Sequence, residues 1–376
     1  IEKKKGIVEK IDKNSDQLVE AIQSGAHIVV TTVQKFPFII EKLRGVEDRR
    51  YAIIIDEAHS SQTGKTAKKL RQVITSDSLD EAEAQEIQEL TQGEKALYEE
   101  MAKSKQVPNA SFFAFTATPK QKTLELFGTM NAQGQYRPYH VYSMRQAIQE
   151  GFIMDVLKHY VSYPTYFQLM KSVEADPRYD KKQATRLLRN LVEKHPGTIA
   201  KKSAIIVDHF LNFSMHEMRG NAKAMVVTRS RFHAMEYKKA IDRVLKEKGS
   251  PTKTLVAFSG TLSHDGVEYT EKMLNKLSDK KSIKKAFKED GFKILIVANK
   301  FQTGFDEPLL HTMYVDKVLN GVAAIQTLSR INRIHKYKSN TLVMDFANDP
   351  DVIERAFLPY YGETFLSEGT DPHKLY

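Results

Sequence analysis

Two adjacent carboxylates stand directly behind a run of apolar, β-branched residues in the first part of the chain. Residues 51–55 read YAIII and predict a strand buried on both faces, and Asp56 and Glu57 follow it in the string IIIDEAH. Parallel α/β sheets hold their ligands at the carboxyl ends of their strands. At such an edge one carboxylate can hold Mg²⁺ while the other orients an attacking water. Taken alone, an Asp-Glu pair is commonly a surface turn.

Two hydroxyl side chains follow a second apolar run. Residues 111–115 read SFFAF, and Thr116 and Thr118 come next, before a strand stop at Pro119. Threonines at the carboxyl end of a strand can hydrogen-bond a neighbouring carboxylate and a phosphate-bound water. An ordinary exit from a strand into a loop has the same composition, so this pattern alone is not decisive.

Paired arginines in the last quarter of the chain suit a phosphate chain. In QTLSRINR (326–333), Arg330 and Arg333 are three residues apart, a spacing that puts both guanidinium groups on one face of a helix. Each guanidinium offers a planar fork of donors that keeps its charge. Upstream, the glycine-containing turn FQTGFDEP (301–308) follows a strand pattern and can bring backbone N–H groups near phosphates. A lone Arg-x-x-Arg is usually a surface feature.

These residues require strands that end at a common sheet edge. Short apolar runs, mostly continuous rather than alternating, are separated by charge-rich helical patterns, which is typical of parallel sheets covered by helices. The runs cover residues 27–33, 51–55, 111–115, 224–227, 254–258, 293–297, 312–315 and 341–345. Between residues 141 and 200 the pattern is helical without a convincing strand, and His195-Pro196-Gly197 marks a boundary. The sequence thus predicts two α/β lobes joined by a helical connector.

Composition limits the classes of function. The 376 residues suffice for two or three domains, and the absence of cysteine excludes disulfides, thiolate nucleophiles and cysteine zinc sites. No apolar run approaches the roughly 18 residues that span a bilayer. The net charge of +10 permits nucleic acid or an anionic surface as a partner. Lysines recur every four residues from 272 to 288, which predicts a solvated helix face or a nucleic-acid contact, with a break near residues 278–282.

The motifs DEAH, TAT, TGFDEP and QTLSRINR, in this order, resemble the motor core of helicase superfamily two. The strings DEAHSSQTG and FQTGFDEPLLHTMYVDK are similar to the restriction, or motor, subunit of type I restriction-modification enzymes. This resemblance implies an α/β fold of two RecA-like lobes, with mainly parallel sheets covered by helices. It implies an incomplete first lobe at residues 1–140, a helical connector at 141–195 and a second lobe at 196–376.

The resemblance also implies roles at a nucleotide site for ATP and Mg²⁺. Asp56 would be the metal ligand and Glu57 would activate water, while Arg333 would be the arginine finger and Arg330 its partner at the γ-phosphate. The other positions that match nucleotide-site motifs are His59, Thr116, Thr118, Gly304, Asp306 and Gln326. Ser329 stands where many relatives have glycine, a tolerable departure.

A second set of positions matches the DNA-contacting motifs of the family. They are Thr31, Thr32, Gln34, Thr228, Arg229, Ser259, Gly260 and Thr303. Such residues would grip the phosphate backbone of double-stranded DNA without reading its sequence.

Two parts of the family pattern are absent from these 376 residues. No G-x-x-x-x-G-K-[ST] phosphate loop precedes Asp56, and Gly64-Lys65-Thr66 is a decoy because His59 stands where its first glycine would be. The nuclease motif is also absent. We therefore expect the chain, which begins at Ile1, to be the interior of a larger motor subunit and to hydrolyse ATP weakly or not at all in isolation.

The implied function is that of an ATP-hydrolysing DNA translocase within a type I site-specific deoxyribonuclease. Its expected partners are double-stranded DNA and the modification (methyltransferase) and specificity subunits, in the prokaryotic cytoplasm and without a membrane. The carboxylates of the first lobe and the guanidinium groups of the second would face one triphosphate-sized gap. Two alternatives remain: the motor core of another superfamily-two helicase or remodeller, and an inert DNA-binding module.

Overall fold

The structure is a computed structural model. It describes residues 8–11, 17, 20–21, 24–30, 50–56, 110–119, 121–163, 199–278, 281–301 and 304–361. Contacts within the chain divide it into two units, and the described residues of unit 1 fall in 8–141 and those of unit 2 in 142–361. Among the described residues, no helix has both the length and the apolar character needed to cross a bilayer.

Among its described residues, unit 1 contains two pairs of parallel strands, a hairpin and a helix at Gln121–Phe127, and residues 17, 20 and 21 are also helical. The elements are β1 (Val8–Lys10), β2 (Ile28–Val30), β3 (Tyr51–Asp56), β4 (Ala110–Phe115), helix α1 (Gln121–Phe127), β5 (Thr129–Met130) and β6 (Tyr136–Arg137). β1 pairs with β2 and β3 pairs with β4 in parallel, whereas β5 and β6 are antiparallel. The strands predicted from residues 27–33, 51–55 and 111–115 are confirmed, the first only over Ile28–Val30.

The β3–β4 pair buries one of its two faces. Ile55 on that face packs against side chains of β4 and α1, including Phe112 and Leu126. On the other face Ile54, Phe113 and Phe115 are at least half exposed. The expectation that both faces are buried is wrong for the described residues, because the helix α1 covers only one of them.

Unit 2 is an alternation of strands and helices. Its strands are β7 (Tyr160–Ser162), β8 (Lys223–Thr228), β9 (Lys253–Ala257), β10 (Leu262–His264), β11 (Val267–Tyr269), β12 (Phe292–Val297), β13 (Leu310–Asp316) and β14 (Leu342–Asp345). Its helices are α2 (Met144–Gln149), α3 (Ile199–Asn212), α4 (Glu217–Gly220), α5 (Arg231–Glu247), α6 (Glu271–Asn275), α7 (Ile283–Phe287), α8 (Val322–Leu328) and α9 (Pro350–Tyr361), with 3₁₀ turns at Ser214–His216 and Ser329–Ile331.

Six of these strands form one parallel sheet in the order β7-β14-β13-β8-β12-β9. Apolar side chains on one face pack against α7, α8 and α9, and those on the other face pack against α3 and α5. Residues 224–227 and 312–315 are fully buried, which is why they appear in the sequence as continuous, mainly apolar runs. The prediction of an α/β fold built on a parallel sheet covered by helices is confirmed.

Strand β7 corrects the sequence analysis. It lies in the segment where no strand was expected, and it pairs with β14 at one edge of the sheet of unit 2. A three-residue strand is too short to show a periodicity, and its pairing partner lies about 180 residues further along the chain. The predicted connector at 141–195 is therefore not purely helical in its described part.

The predicted lysine stripe is divided into two short helices. α6 ends at Asn275 and α7 begins at Ile283. Thr270 and Ser282 start these helices, because the hydroxyl of each accepts a hydrogen bond from the backbone N–H three residues later. The break predicted near residues 278–282 is confirmed, so the lysines do not line one continuous helix face.

Candidate functional site

Asp56 and the two threonines lie at the carboxyl edge of the β3–β4 pair. The register sets Asp56 opposite Phe115, one residue before Thr116. The Asp56 side chain is exposed at this edge. Thr118 is fully buried, and its backbone N–H donates to the Thr116 hydroxyl over 3.1 Å. The strand ends thus bring a carboxylate and a hydroxyl turn to one edge, as the sequence predicts.

Six of the predicted site residues lie outside the described part of the chain. They are Thr31, Thr32, Gln34, Glu57, His59 and Thr303. Their assigned roles stay predictions.

The two arginines of QTLSRINR contact the turn that follows β12. Arg330 donates through Nε to the carbonyl of Gln326 over 3.1 Å and through Nη1 to the carbonyl of Phe305 over 3.2 Å. Arg333 pairs with Asp306, with 3.4 Å between Nε and Oδ1. The structure therefore brings Gly304, Asp306, Gln326, Arg330 and Arg333 together in one group, which we call the arginine cluster.

The geometry of the arginine cluster differs from the predicted helix. α8 ends at Leu328, Arg330 lies in the 3₁₀ turn, and Arg333 follows that turn. The guanidinium of Arg330 turns back onto backbone carbonyls, whereas the Arg333 side chain is 45% exposed. The helix pattern is therefore wrong for these two residues, although both still reach residues 304–306.

Gly304 occupies a backbone position that suits glycine. Its φ is +64°, in the left-handed region that other residues rarely adopt. Its carbonyl accepts a hydrogen bond from Lys284 Nζ over 2.8 Å, and the neighbouring rings of Phe301 and Phe305 stack 4.6 Å apart. The turn is thus fixed by α7 on one side and by Arg330 on the other.

A second group lies at the carboxyl edge of the unit 2 sheet. Thr228 ends β8, fully buried, and its hydroxyl donates to the carbonyl of Val297 over 3.0 Å. Arg229 follows, with Nη2 4.0 Å from the carboxylate of Asp316, and its Nε is buried without a hydrogen-bond partner among the described residues. The predicted DNA contact of Thr228 stays a prediction, but in this arrangement its hydroxyl bonds the sheet.

Ser259 and Gly260 form an exposed turn after β9. Gly260 has φ of +78°, and Arg231 at the start of α5 donates to the carbonyl of Thr261 over 3.4 Å. A Cβ at Gly260 would lie 3.4 Å from the guanidinium of Arg231. This carboxyl edge therefore presents Arg229, Arg231 and the Ser259–Gly260 turn.

The two groups lie at different ends of β13. Asp316, next to Arg229, is the last residue of this strand, whereas Lys338 links the carbonyl of Leu310, at its start, to that of Arg333. Six steps of about 3.3 Å between its seven residues make the strand roughly 20 Å long. Residues predicted for the nucleotide and residues predicted for DNA thus occupy separate regions of unit 2.

Sequence reasoning missed several residues that build this site. Asp316 is buried and accepts from Lys202 Nζ over 2.6 Å and from the hydroxyl of Tyr237 over 2.7 Å. Lys338 is buried behind the arginine cluster. Asp316 could have been found from the sequence, because it directly follows the buried run TMYV. Lys338 could not, because lysines in polar loops are normally exposed.

The described residues offer Mg²⁺ a single predicted carboxylate ligand, which suits a metal ion that binds through few protein groups. Among the described residues, no group of three His, Cys, Asp or Glu could hold a metal ion. Mg²⁺ commonly binds one or two carboxylates and completes its shell with water and phosphate oxygens. The exposed carboxylate of Asp56 suits that arrangement.

Comparisons with protein families identify the class to which this mainly parallel α/β chain belongs. The family model described as SWI2/SNF2 ATPase matches residues 2–190, half of the chain. The chain belongs to the SWI2/SNF2 ATPase family. A second model, described as type I restriction enzyme subunit R domain 3, matches residues 261–348, which include the arginine cluster.

Curated relatives are endonuclease subunits of type I restriction enzymes. The HindI endonuclease subunit of Haemophilus influenzae is 26% identical over 90% of this chain and 31% of its own length. The SauMRSORF196P endonuclease subunit of Staphylococcus aureus is 24% identical over 88% of this chain and 35% of its own. A Methanocaldococcus jannaschii protein that bears the name of the MjaIXP endonuclease subunit is 28% identical over 92% of this chain and 30% of its own. The chain therefore spans about a third of the length of these relatives.

Solved structures of similar proteins include two that are bound to DNA. The type ISP restriction-modification enzyme LlaBIII has a TM-score of 0.48 and 13% identity, over 94% of this chain and 24% of that chain. The helicase MrfA has a TM-score of 0.48 and 15% identity, over 94% of this chain and 40% of that chain. Because both TM-scores lie below 0.5, these similarities say nothing about function.

Proposed function

We propose that this chain is the motor core of the restriction subunit of a type I restriction enzyme and drives translocation along double-stranded DNA by ATP hydrolysis. Membership of the SWI2/SNF2 ATPase family supports the use of ATP. The names of the curated relatives and the restriction-subunit match at residues 261–348 support the type of enzyme. We further propose that residues 1–140 form the first motor lobe, and that the second takes in residues 142–163 as well as 196–376.

The observation that carries this proposal is the arginine cluster. Arg330 and Arg333 converge on a glycine turn within the segment that matches the restriction-subunit family. Arg330 is held by two carbonyls, whereas the Arg333 pair with Asp306 is solvent-exposed and can be exchanged for a phosphate at little cost. In this proposal Arg333 is the arginine finger, and Arg330 contacts the γ-phosphate from a fixed position.

In the first lobe, Asp56 would be a ligand of Mg²⁺ and Glu57 would orient the attacking water. When bound, Mg²⁺ would neutralise charge on the phosphates. The Thr116–Thr118 turn lies at the same strand edge as Asp56, which supports a role in linking the nucleotide site to DNA.

DNA would bind along the carboxyl edge of unit 2. Arg229, Arg231 and the backbone of the Ser259–Gly260 turn suit phosphate groups, which every sequence presents alike. Thr31, Thr32, Gln34 and Thr303 are proposed to contact DNA as well. The specificity subunit would then recognise the DNA sequence, and the modification subunit would methylate it. We propose that the complex acts in the cytoplasm of a prokaryote.

The test is DNA-stimulated ATP hydrolysis by the complete protein that contains this sequence, with and without Arg333→Ala. The exposed ion pair contributes little to stability, so the variant should stay folded while kcat falls by about 10³-fold or more. Arg355→Ala, which removes an exposed arginine of α9, is the matched control and should keep full activity. DNA-stimulated ATP hydrolysis that is unaffected by Arg333→Ala would refute the role of Arg333 as the arginine finger. DNA binding that ignores nucleotide, in a protein without ATP hydrolysis, would refute the motor assignment and favour the inert DNA-binding module.

A further inference from the structure

Lys338 is a buried lysine whose side-chain nitrogen lies among backbone carbonyls. Its Nζ donates to the carbonyl of Ile331 over 2.6 Å, to that of Arg333 over 2.9 Å and to that of Leu310. The residue is 7% exposed, which is rare for a lysine. The carbonyl of Pro308 lies further away, at 3.5 Å. An ammonium group has three N–H donors, so the three nearer carbonyls are enough to use all of them.

These three carbonyls belong to two separate parts of the fold. Ile331 and Arg333 end the segment that carries the arginine cluster, and Leu310 begins β13 of the central sheet. Where a helix ends, its last carbonyls lack partners within the helix and need donors from elsewhere. Lys338 donates hydrogen bonds to carbonyls of this kind in the segment that follows α8 and its 3₁₀ turn. Its bond to Leu310 also attaches that segment to the sheet.

The same segment is held from another side by the start of unit 2. The backbone N–H of Met154 donates to the carbonyl of Asn332 over 2.7 Å, and Ile153 forms an antiparallel bridge with Arg333. The backbone on which Arg333 stands is therefore fixed between this strand-like contact and the lysine. Its side chain extends outward, 45% exposed, to the ion pair with Asp306.

The charges around Lys338 come from three elements. Burial, with a smaller contribution from the charge of Arg333, lowers the pKa of Lys338 to about 7, whereas Glu307, buried before β13, acts to raise it. Burial also lowers the pKa of the nearby His311 imidazole, with a smaller lowering from Lys338. The group donates in both charge states, with three N–H bonds as the ammonium and two as the amine.

We propose that Lys338 is a positioning residue for Arg330 and Arg333. By binding the carbonyls of Ile331, Arg333 and Leu310, it fixes the position of the arginine-bearing segment relative to the start of β13. This inference rests on the proposed function. A finger arginine acts only within a narrow range of positions, and a displacement of about 1 Å can cost about 10²-fold in rate.

The first test is ATP hydrolysis by Lys338→Met in the complete protein. Methionine keeps the apolar stem but removes the donors, so kcat should fall about tenfold or more, while KM for ATP changes less than about twofold. Lys223→Met is the matched control, because Lys223 is equally buried and its ammonium donates to a carbonyl, that of Phe287, outside the arginine cluster. With rates normalised to the folded fraction, this control should lose less than about twofold.

The second test uses amide hydrogen exchange, which reports on the position of the arginine-bearing segment independently of catalysis. The amide of Met154 should exchange with solvent faster in Lys338→Met than in the parent protein, because its acceptor at Asn332 is no longer fixed. In Lys223→Met the exchange should be unchanged. If Lys338→Met does not fold, Lys338→Gln, which retains N–H donors on a shorter side chain, should give smaller changes in the same two measurements.

Failure of this inference and failure of the proposed function are distinguishable. If Arg333→Ala abolishes ATP hydrolysis but Lys338→Met keeps the parent kcat and Met154 exchange, the lysine does not position the arginines. Equal losses of kcat in Lys338→Met and Lys223→Met would also overturn it, because the effect would then be general to buried lysines. If Arg333→Ala is fully active, the proposed role of Arg333 fails, and the exchange of Met154 alone reports on the lysine.

Discussion

Asp316 carries a buried charge at the end of β13. It is 3% exposed, and Lys202 from α3 and Tyr237 from α5 donate to its two carboxylate oxygens. Burial and the nearby carboxylate raise the pKa of Tyr237 well above its ordinary value, so the phenol remains a donor. One carboxylate thus joins two helices to the centre of the sheet, beside Arg229.

Replacement of Asp316 by asparagine should destabilise the protein strongly. The change keeps the size of the side chain but leaves the buried ammonium of Lys202 without its carboxylate, a loss that costs about 3–5 kcal/mol in comparable sites. Urea unfolding followed by circular dichroism measures it. Asp265→Asn, at an exposed left-handed position that asparagine tolerates, should change the free energy of unfolding by less than about 0.5 kcal/mol. Similar values for both variants would contradict this account of Asp316.

His209 gives the stability a dependence on pH. Its ring is buried against Tyr314, whose hydroxyl lies 2.7 Å from Nδ1, and burial lowers the pKa of the imidazole to about 3. The unfolded chain takes up this proton near pH 6.5, whereas the folded protein does so only near pH 3. The contribution of neutral His209 to the free energy of unfolding is therefore fully present above about pH 6.5, and it is lost as the pH falls towards 3.

The prediction is a comparison of the parent protein with His209→Phe between pH 7 and pH 4. Phenylalanine keeps the ring contacts and removes the titration, so the parent should lose up to about 1.4 kcal/mol more per pH unit than the variant. Unfolding free energies measured in urea at each pH give the difference. Parallel pH curves for the two proteins would show that His209 is not held neutral.

At the scale of elements, α6 covers the open edge of the unit 2 sheet. β9 is the last strand in the order, so among the described residues no further strand faces its outer N–H and C=O groups. The carboxamide of Asn275 accepts from the N–H of Val256 over 2.8 Å and donates to its carbonyl over 2.7 Å. Glu271 accepts from the N–H of Phe258 and pairs with Lys300. A five-residue helix thus takes the role of a neighbouring strand.

Asn275→Ala should expose this edge. Loss of both hydrogen bonds to Val256 should lower the free energy of unfolding by about 1–3 kcal/mol, since each group loses its partner in a part-buried site. Met273→Ala on the same helix, at a position that is 58% exposed, is the control and should change it by less than about 0.5 kcal/mol. Equal stability of the two variants would mean that solvent satisfies the edge as well as Asn275 does.

At the scale of the whole molecule, the chain belongs to the SWI2/SNF2 ATPase family but has no G-x-x-x-x-G-K-[ST] string ahead of Asp56. In P-loop nucleotide hydrolases that loop holds the β- and γ-phosphates. We therefore expect these 376 residues by themselves to bind and hydrolyse ATP weakly.

The isolated 376-residue chain should hydrolyse ATP at most at about a thousandth of the rate of the complete protein, with or without DNA. Double-stranded DNA should still bind, and its affinity should fall as salt rises, because the net charge is +10 and the contacts are to phosphate. Steady-state hydrolysis and salt titrations of DNA binding measure the two effects. A DNA-stimulated rate near that of the complete protein would refute the prediction.

Much of the fold was predictable because buried parallel strands leave a direct trace in the sequence. Runs such as residues 224–227 and 293–297 are continuous and apolar, and their strand ends carry the polar residues of the site. β7 could not be predicted, because three residues carry no periodicity and the partner strand β14 is distant. The helix prediction for Arg330 and Arg333 was wrong for a related reason: α8 ends at Leu328, and the carbonyls of Ile331 and Arg333 bind Lys338, which lies outside the QTLSRINR string.

By itself, the sequence determined the α/β class, the strands that deliver Asp56 and Thr228 to sheet edges, and the family to which the chain belongs, because these depend on local pattern and on motif order. Only the tertiary structure decided that Lys338 and Asp316 are buried, and that the arginine cluster and the carboxyl-edge group lie at different ends of β13. The physical reason is that the cost of burying a charge is offset by partners far apart in the chain. Lys338 reaches Leu310 across 28 residues and Asp316 reaches Lys202 across 114, and no local pattern records such pairs.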